Sequence, residues 1–139
     1  MFKNRSYEDI DQDLIAAQMY NSIGEYELAL KYADKSIKKG ISSNKSFEIK
    51  ASVYYTMLTN PKTESSKKPD YSKMAMETIN QSLQLNPKAA ESLFIKALIL
   101  MTDLKFAEAI PFLQEAQKLA PQNPGIREQL SICYQKIGK

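Results

Sequence analysis

The sequence predicts an all-α fold in which seven helices pair antiparallel and stack as a short solenoid. Three observations carry that expectation. A residue pattern recurs every 34 positions, with one interruption. Inside each period the apolar residues recur at helical spacing and not in strand alternation. Helix-stopping residues stand where each predicted helix has to end.

The period is read from matched places. Tyr20 and Tyr54 lie 34 residues apart, as do Leu100 and Tyr134. Tyr54 and Leu100 are 46 apart, one period plus 12. The small residues Ala17, Ala51, Ala97 and Ser131 keep the same steps, and Ala29, Ala75 and Ala109 repeat them in the second helix of each unit. One domain spanning 1–139 is therefore expected, with units at about 10–43, 44–89 and 90–123 and a last helix over 124–139. A chain of this size buries roughly 68–70% of its surface without any crosslink.

Unit one opens after Ser6-Tyr7-Glu8-Asp9, a serine followed by acids that reads as a helix start. Tyr26, Ala29, Ala33 and Ile37 form the apolar stripe of its second helix, and Gly40 suits a left-handed stop after Lys39. Unit two holds the extra 12 residues, Thr59 to Asp70, between its helices. That segment is polar and proline-bounded, and predicts a mobile loop. It needs no function, because surface loops lengthen at little cost; a phosphorylated or partner-docking loop is the functional alternative.

In unit three, Leu93, Ala97, Leu100 and Leu104 fall on one helix face, and Phe106, Ala109, Leu113 and Ala116 on the next. Only a tight turn fits between them, so the two helices are antiparallel neighbours. Small residues on facing stripes let the backbones approach closely. Leu85-Asn86-Pro87 and Leu119-Ala120-Pro121 stop the second helices. Pro111 lies inside one of them, where it costs a hydrogen bond and favours a kink, but it falls within two turns of the helix start and is tolerated there. The last helix carries Ile126, Leu130, Cys133, Tyr134 and Ile137 on one stripe, with Arg127, Glu128, Ser131, Gln135 and Lys136 elsewhere. It reads as a polar cap that completes a short array.

The pattern Ala16-Ala17-x-x-Tyr20-x-x-x-Gly24-x-Tyr26-x-x-Ala29 resembles the tetratricopeptide repeat, and unit three resembles it best. The usual opening tryptophan is absent, and unit one lacks its closing proline. The resemblance implies a right-handed solenoid whose first helices line a concave groove that receives a segment of another protein.

The residues at matched places on those helices are the candidate partner-binding groove. They are Leu14, Glu48 and Phe94, then Gln18, Ser52, Leu98 and Ile132 one turn on, then Asn21, Tyr55, Met101 and Gln135. Tyr55, Phe94, Leu98 and Met101 form an apolar centre, where binding energy concentrates. The same spacing also fits a helix made apolar all round because neighbours bury it on two sides. Some relatives of the family grip acidic C-terminal tails with a two-carboxylate clamp of lysine, asparagine and arginine. The matching positions here hold Leu14, Gln18, Ile49, Glu91 and Ile95, so that clamp is not present.

Composition narrows the function classes. Histidine is absent, which removes the commonest general base and zinc ligand. The four glycines form no phosphate-cradling motif, and the acids show no metal-ligand spacing. Cys133 sits on an apolar stripe with no activating partner and reads as a buried small hydrophobe. No catalytic, cofactor or metal residues are predicted, and the expectation is a non-catalytic adaptor or scaffold. The alternative is a small chaperone for a hydrophobic segment of a client such as a secreted protein.

Net charge is +3, distributed as −4 over residues 1–30, +6 over 31–73 and +1 over the rest. Lys31, Lys35, Lys38 and Lys39 lie on a second helix without interleaved aromatics, so specific nucleic-acid binding is not expected. No apolar run approaches the roughly 20 residues of a membrane span, and no signal-like core follows Met1. A cytoplasmic location is the expectation.

Overall fold

The computed structural model describes residues 10–138, so the predicted start at Ser6-Tyr7-Glu8-Asp9 lies outside the described residues. Seven α-helices follow one another: α1 (Gln12–Ser22), α2 (Tyr26–Lys39), α3 (Asn44–Thr59), α4 (Lys68–Leu85), α5 (Ala90–Thr102), α6 (Phe106–Leu119) and α7 (Pro124–Lys136). Each packs on its successor, and there is no strand among the described residues. This is the expected all-α solenoid of helix pairs.

The alanines set the spacing of the pairs. Ala17, Ala29, Ala33, Ala51, Ala75, Ala97, Ala109 and Ala116 are all fully buried where helices meet. Around them lie two apolar clusters. Ala51, Tyr54, Ala75, Ile79, Ile95 and Ile99 join α3, α4 and α5. Leu93, Leu100, Leu113, Ile126, Leu130 and Cys133 join α5, α6 and α7. Burial raises the Cys133 thiol pKa, as its place in that core requires.

The turns repeat as closely as the helices. Glu25 N–H donates to the Tyr20 carbonyl at 2.9 Å, and Lys105 N–H to that of Leu100 at 3.0 Å. Both turns need a left-handed residue, which is Gly24 in the first (φ 83°) and Leu104 in the second (φ 62°). Leu104 therefore leaves the apolar face predicted for it and stands 75% exposed. Gly40 closes α2 with φ 73°, as the sequence predicts.

Two expectations change, and the tolerance of Pro111 holds. The 12 extra residues of unit two are not simply a loop. Helix α3 has 16 residues against 13 in α5, and α4 has 18 against 14 in α6. The remainder forms a connection containing a 3-10 turn at Ser65–Lys67. Pro69 in the first turn of α4 suits a helix start, and the added turns of α3 and α4 belong to helices that pack on each other. Helix α6 runs on through Pro111, which is exposed, as is Ala107, whose carbonyl loses its donor to the ring. Water can satisfy that carbonyl. Tyr134 and Ile137 are each 37% exposed, so the cap buries only Ile126, Leu130 and Cys133 of its predicted stripe.

Buried polar joints tie consecutive units. The hydroxyls of Ser36 and Ser46 lie 2.6 Å apart, and those of Ser82 and Ser92 are also 2.6 Å apart. Each pair links the second helix of one unit to the first helix of the next. At the third joint the matching places hold Ala116 and Ile126, and the contact is apolar. None of the described helices is long and apolar enough to cross a membrane.

Candidate functional site

The first helices touch along the array, α1 with α3 and α3 with α5, while no comparable pairing joins α2 to α4 among the described residues. First helices that crowd together form the inner side of a curved stack.

Tyr55, Phe94, Leu98 and Met101, the predicted centre of the groove, are all half-buried, neither sealed in the core nor free in solvent. Tyr55 leans on the α3–α5 cluster, and burial pushes its phenol pKa up. Phe94 and Met101 lean on the α5–α7 cluster. The Phe94 ring also closes on α7, where a Cβ on Gly125 would lie 3.7 Å from it. Leu98 is the member of the four that joins neither cluster.

The flanking positions differ among themselves. Leu14, Asn21, Ser52 and Ile132 are half-buried, and Gln18 and Gln135 are exposed. Asn21 Oδ1 is shielded from solvent and has no hydrogen-bond partner among the described residues. Glu48 is half-buried and accepts a 2.5 Å hydrogen bond from the Ser92 hydroxyl, so it is tied to the joint beneath it. Glu91 reaches solvent, but the neighbouring groove wall and then the Glu48 carboxylate push its carboxyl pKa up. Glu48 and Glu91 thus lie near enough for one carboxylate to act on the other. Of the positions matching the acidic-tail clamp, Ile49 is half-buried and Ile95 buried.

The sequence reading missed the polar tether at the first joint. Asp11 caps α1 by accepting from Leu14 N–H at 3.0 Å, and takes hydrogen bonds from Ser36 and Ser42 at 2.5 and 2.7 Å. Lys39 bridges Asp11 and Asp13 at 3.2 and 3.1 Å. Lys50 pairs with Asp34 at 2.8 Å, and Lys35 lies 5.0 Å over the Tyr32 ring. Much of the basic middle segment is therefore engaged within the fold. The spacing of Ser36 with Ser82 and of Ser46 with Ser92, 46 in both cases, was the available signal.

Residues 90–123 match the family model of the tetratricopeptide repeat. Residues 90–123 thus carry one tetratricopeptide repeat, and the chain as a whole shares the fold of tetratricopeptide proteins. Solved tetratricopeptide structures share its fold at low identity. TTC0263, a thermophilic member from Thermus thermophilus, superposes with a TM-score of 0.80 at 17% identity, over 91% of this chain and 64% of that one. The first tetratricopeptide domain of Spaghetti (RPAP3), bound to the HSP90 peptide SRMEEVD, gives 0.76 at 16% identity, over 93% and 98%. YrrB, described as having an unusual peptide-binding site, gives 0.70 at 20%, over 96% and 62%. The chain thus spans less than two thirds of the Thermus protein and of YrrB.

Proposed function

We propose that this chain is a non-catalytic interaction module that holds a segment of a partner protein against its inner face. The observation that carries the reading is the half-buried quartet of Tyr55, Phe94, Leu98 and Met101, an apolar centre that a bound segment would desolvate. Peptide binding by the Spaghetti domain and by YrrB supports the class of function.

The preferred segment presents apolar side chains and few carboxylates. Glu48 and Glu91 would repel an acidic tail, and Ile49 and Ile95 offer it no cation. Peptides selected on the intact chain from a displayed random library should be enriched in apolar residues. They should bind the Leu98→Asp variant at least tenfold more weakly, whereas the SRMEEVD peptide should show no micromolar affinity. Selected peptides indifferent to Leu98, or tight binding of the acidic peptide, would defeat the reading.

A further inference from the structure

Helix α1 and its C-cap Ile23 display an apolar stripe on the side that a preceding second helix covers in the later units. Ile15, Met19 and Ile23 recur every fourth residue and are 47%, 63% and 70% exposed. The matching residues of the next unit are Ile49, Val53 and Met57, where Val53 is fully buried and the other two are half-buried. In unit three Ile95 and Ile99 take the first two places, and both are buried. In both inner units the stripe is covered because the preceding second helix lies on it, α2 on α3 and α4 on α5. The covering mode is therefore established twice inside the molecule, and α1 presents the same surface without a cover among the described residues.

We propose that this stripe is a dimer interface on which a second copy of the chain packs its own α1, antiparallel, about a two-fold axis at Met19. Two-fold interfaces must be self-complementary. The stripe is: it has an isoleucine four residues before Met19 and another four after it. Antiparallel pairing centred on Met19 sets Ile15 of each copy opposite Ile23 of the other. Charge permits the contact. The positions beside the stripe are Gln12, Ala16 and Ser22, and the single charged residue within α1, Asp13, is engaged by Lys39. Among the residues of α1, identical faces then meet without opposed like charges. The surface is also hollowed: Ala16, Met19, Tyr20, Ser22 and Ile23 line a depression of about 260 Å³ in which a facing Met19 can lodge. Head-to-tail stacking on the far end fits poorly, because α7 exposes Arg127, Glu128, Ser131 and Gln135 there. Closure into a pair follows, and not growth into a filament.

Sedimentation analysis of the full chain from micromolar to millimolar concentration should show a reversible monomer–dimer equilibrium. Met19→Lys and Met19→Glu should each weaken association at least tenfold with unchanged circular dichroism, since Met19 is mostly exposed. Mixing those two variants should restore dimers, because each charge then meets its opposite at the axis. Ile15→Lys mixed with Ile23→Glu tests the antiparallel register in the same way. A chain monomeric at millimolar concentration overturns the proposal, as do dimers indifferent to Met19 and Ile15. Failure of both mixtures to restore association overturns the two-fold pairing. Dimers that form only after deletion of residues 1–9 would assign the stripe to that segment, and the proposal would be wrong.

Discussion

The Ser92 hydroxyl donates to Glu48 across 2.5 Å while resting 2.6 Å from the hydroxyl of Ser82. The half-buried Glu48 carboxylate is thereby fastened to the joint between the second and third units. Removing Ser92 alone strands a buried hydroxyl and a half-buried carboxylate, which costs about 1–3 kcal/mol. Replacing both serines with alanine leaves no stranded hydroxyl, although Glu48 still loses its donor, and the matched alanine at 116 shows that a joint can be apolar. Chemical denaturation should therefore find Ser92→Ala clearly destabilised. The Ser82→Ala/Ser92→Ala pair should lose less than the two single losses combined.

Acid should release the first joint. Burial works against the ionised Asp11 carboxylate, but hydrogen bonds from Ser36, Ser42, Leu14 N–H and Lys39 outweigh it and hold the pKa at about 2. The folded value lies below the ordinary 3.8, so Asp11 contributes stability that is fully present above pH 4. That contribution declines as the pH falls from about 4 toward 2. A shift of this size corresponds to about 2 kcal/mol. Denaturant titrations at successive pH values should show the decline in the intact chain. Asp11→Asn should be less stable at pH 7 and should lose most of the dependence between pH 4 and 2.

Leu104 occupies the backbone conformation that Gly24 occupies in the first unit, at φ 62° against 83°. A left-handed residue with a side chain costs about 1–2 kcal/mol, and glycine gives back about 0.5–1 kcal/mol in chain entropy. With Leu104 largely exposed, little packing is lost on truncation. Leu104→Gly should raise the melting temperature by about 2–4 °C, a gain of under 1 kcal/mol. Gly24→Ala should lower it, although a Cβ there meets nothing within 4 Å. That contrast separates backbone strain from crowding.

The architecture was legible because alanine at a helix crossing cannot be exchanged for a larger residue without separating the backbones. Ala17, Ala51 and Ala97 therefore recur with the unit, and all are fully buried. Serine carries no such mark. Ser36 and Ser82 recur just as regularly but look like ordinary solvent-facing serines until a facing hydroxyl is found. The lengthened α3 and α4 were hidden because the polar segment at 59–70 has no intrinsic preference strong enough to oppose packing on a neighbour. Leu104 was misplaced because helical spacing continues through a turn whose glycine has been replaced. On the inner face, core and groove demand the same spacing, so sequence alone left Phe94 and Leu98 undivided.

Their surroundings now divide them. Phe94 leans on the α5–α7 cluster and on Gly125, so its ring helps to seat α7. Leu98 joins neither cluster, and Leu100 is buried inside the core. Truncation to alanine should therefore order the three by stability. Leu100→Ala should cost about 2–5 kcal/mol and Leu98→Ala under about 1 kcal/mol, with Phe94→Ala between them. Partner binding should follow a different order, with Leu98→Ala and Phe94→Ala each costing on the order of 2 kcal/mol. Thermal melting combined with titration of a selected peptide measures both orders on the same samples. A Leu98→Ala variant that melts as low as Leu100→Ala would place Leu98 in the core and remove the centre of the groove. One that melts normally and binds normally would defeat the inner-face reading and place the contact elsewhere on the array.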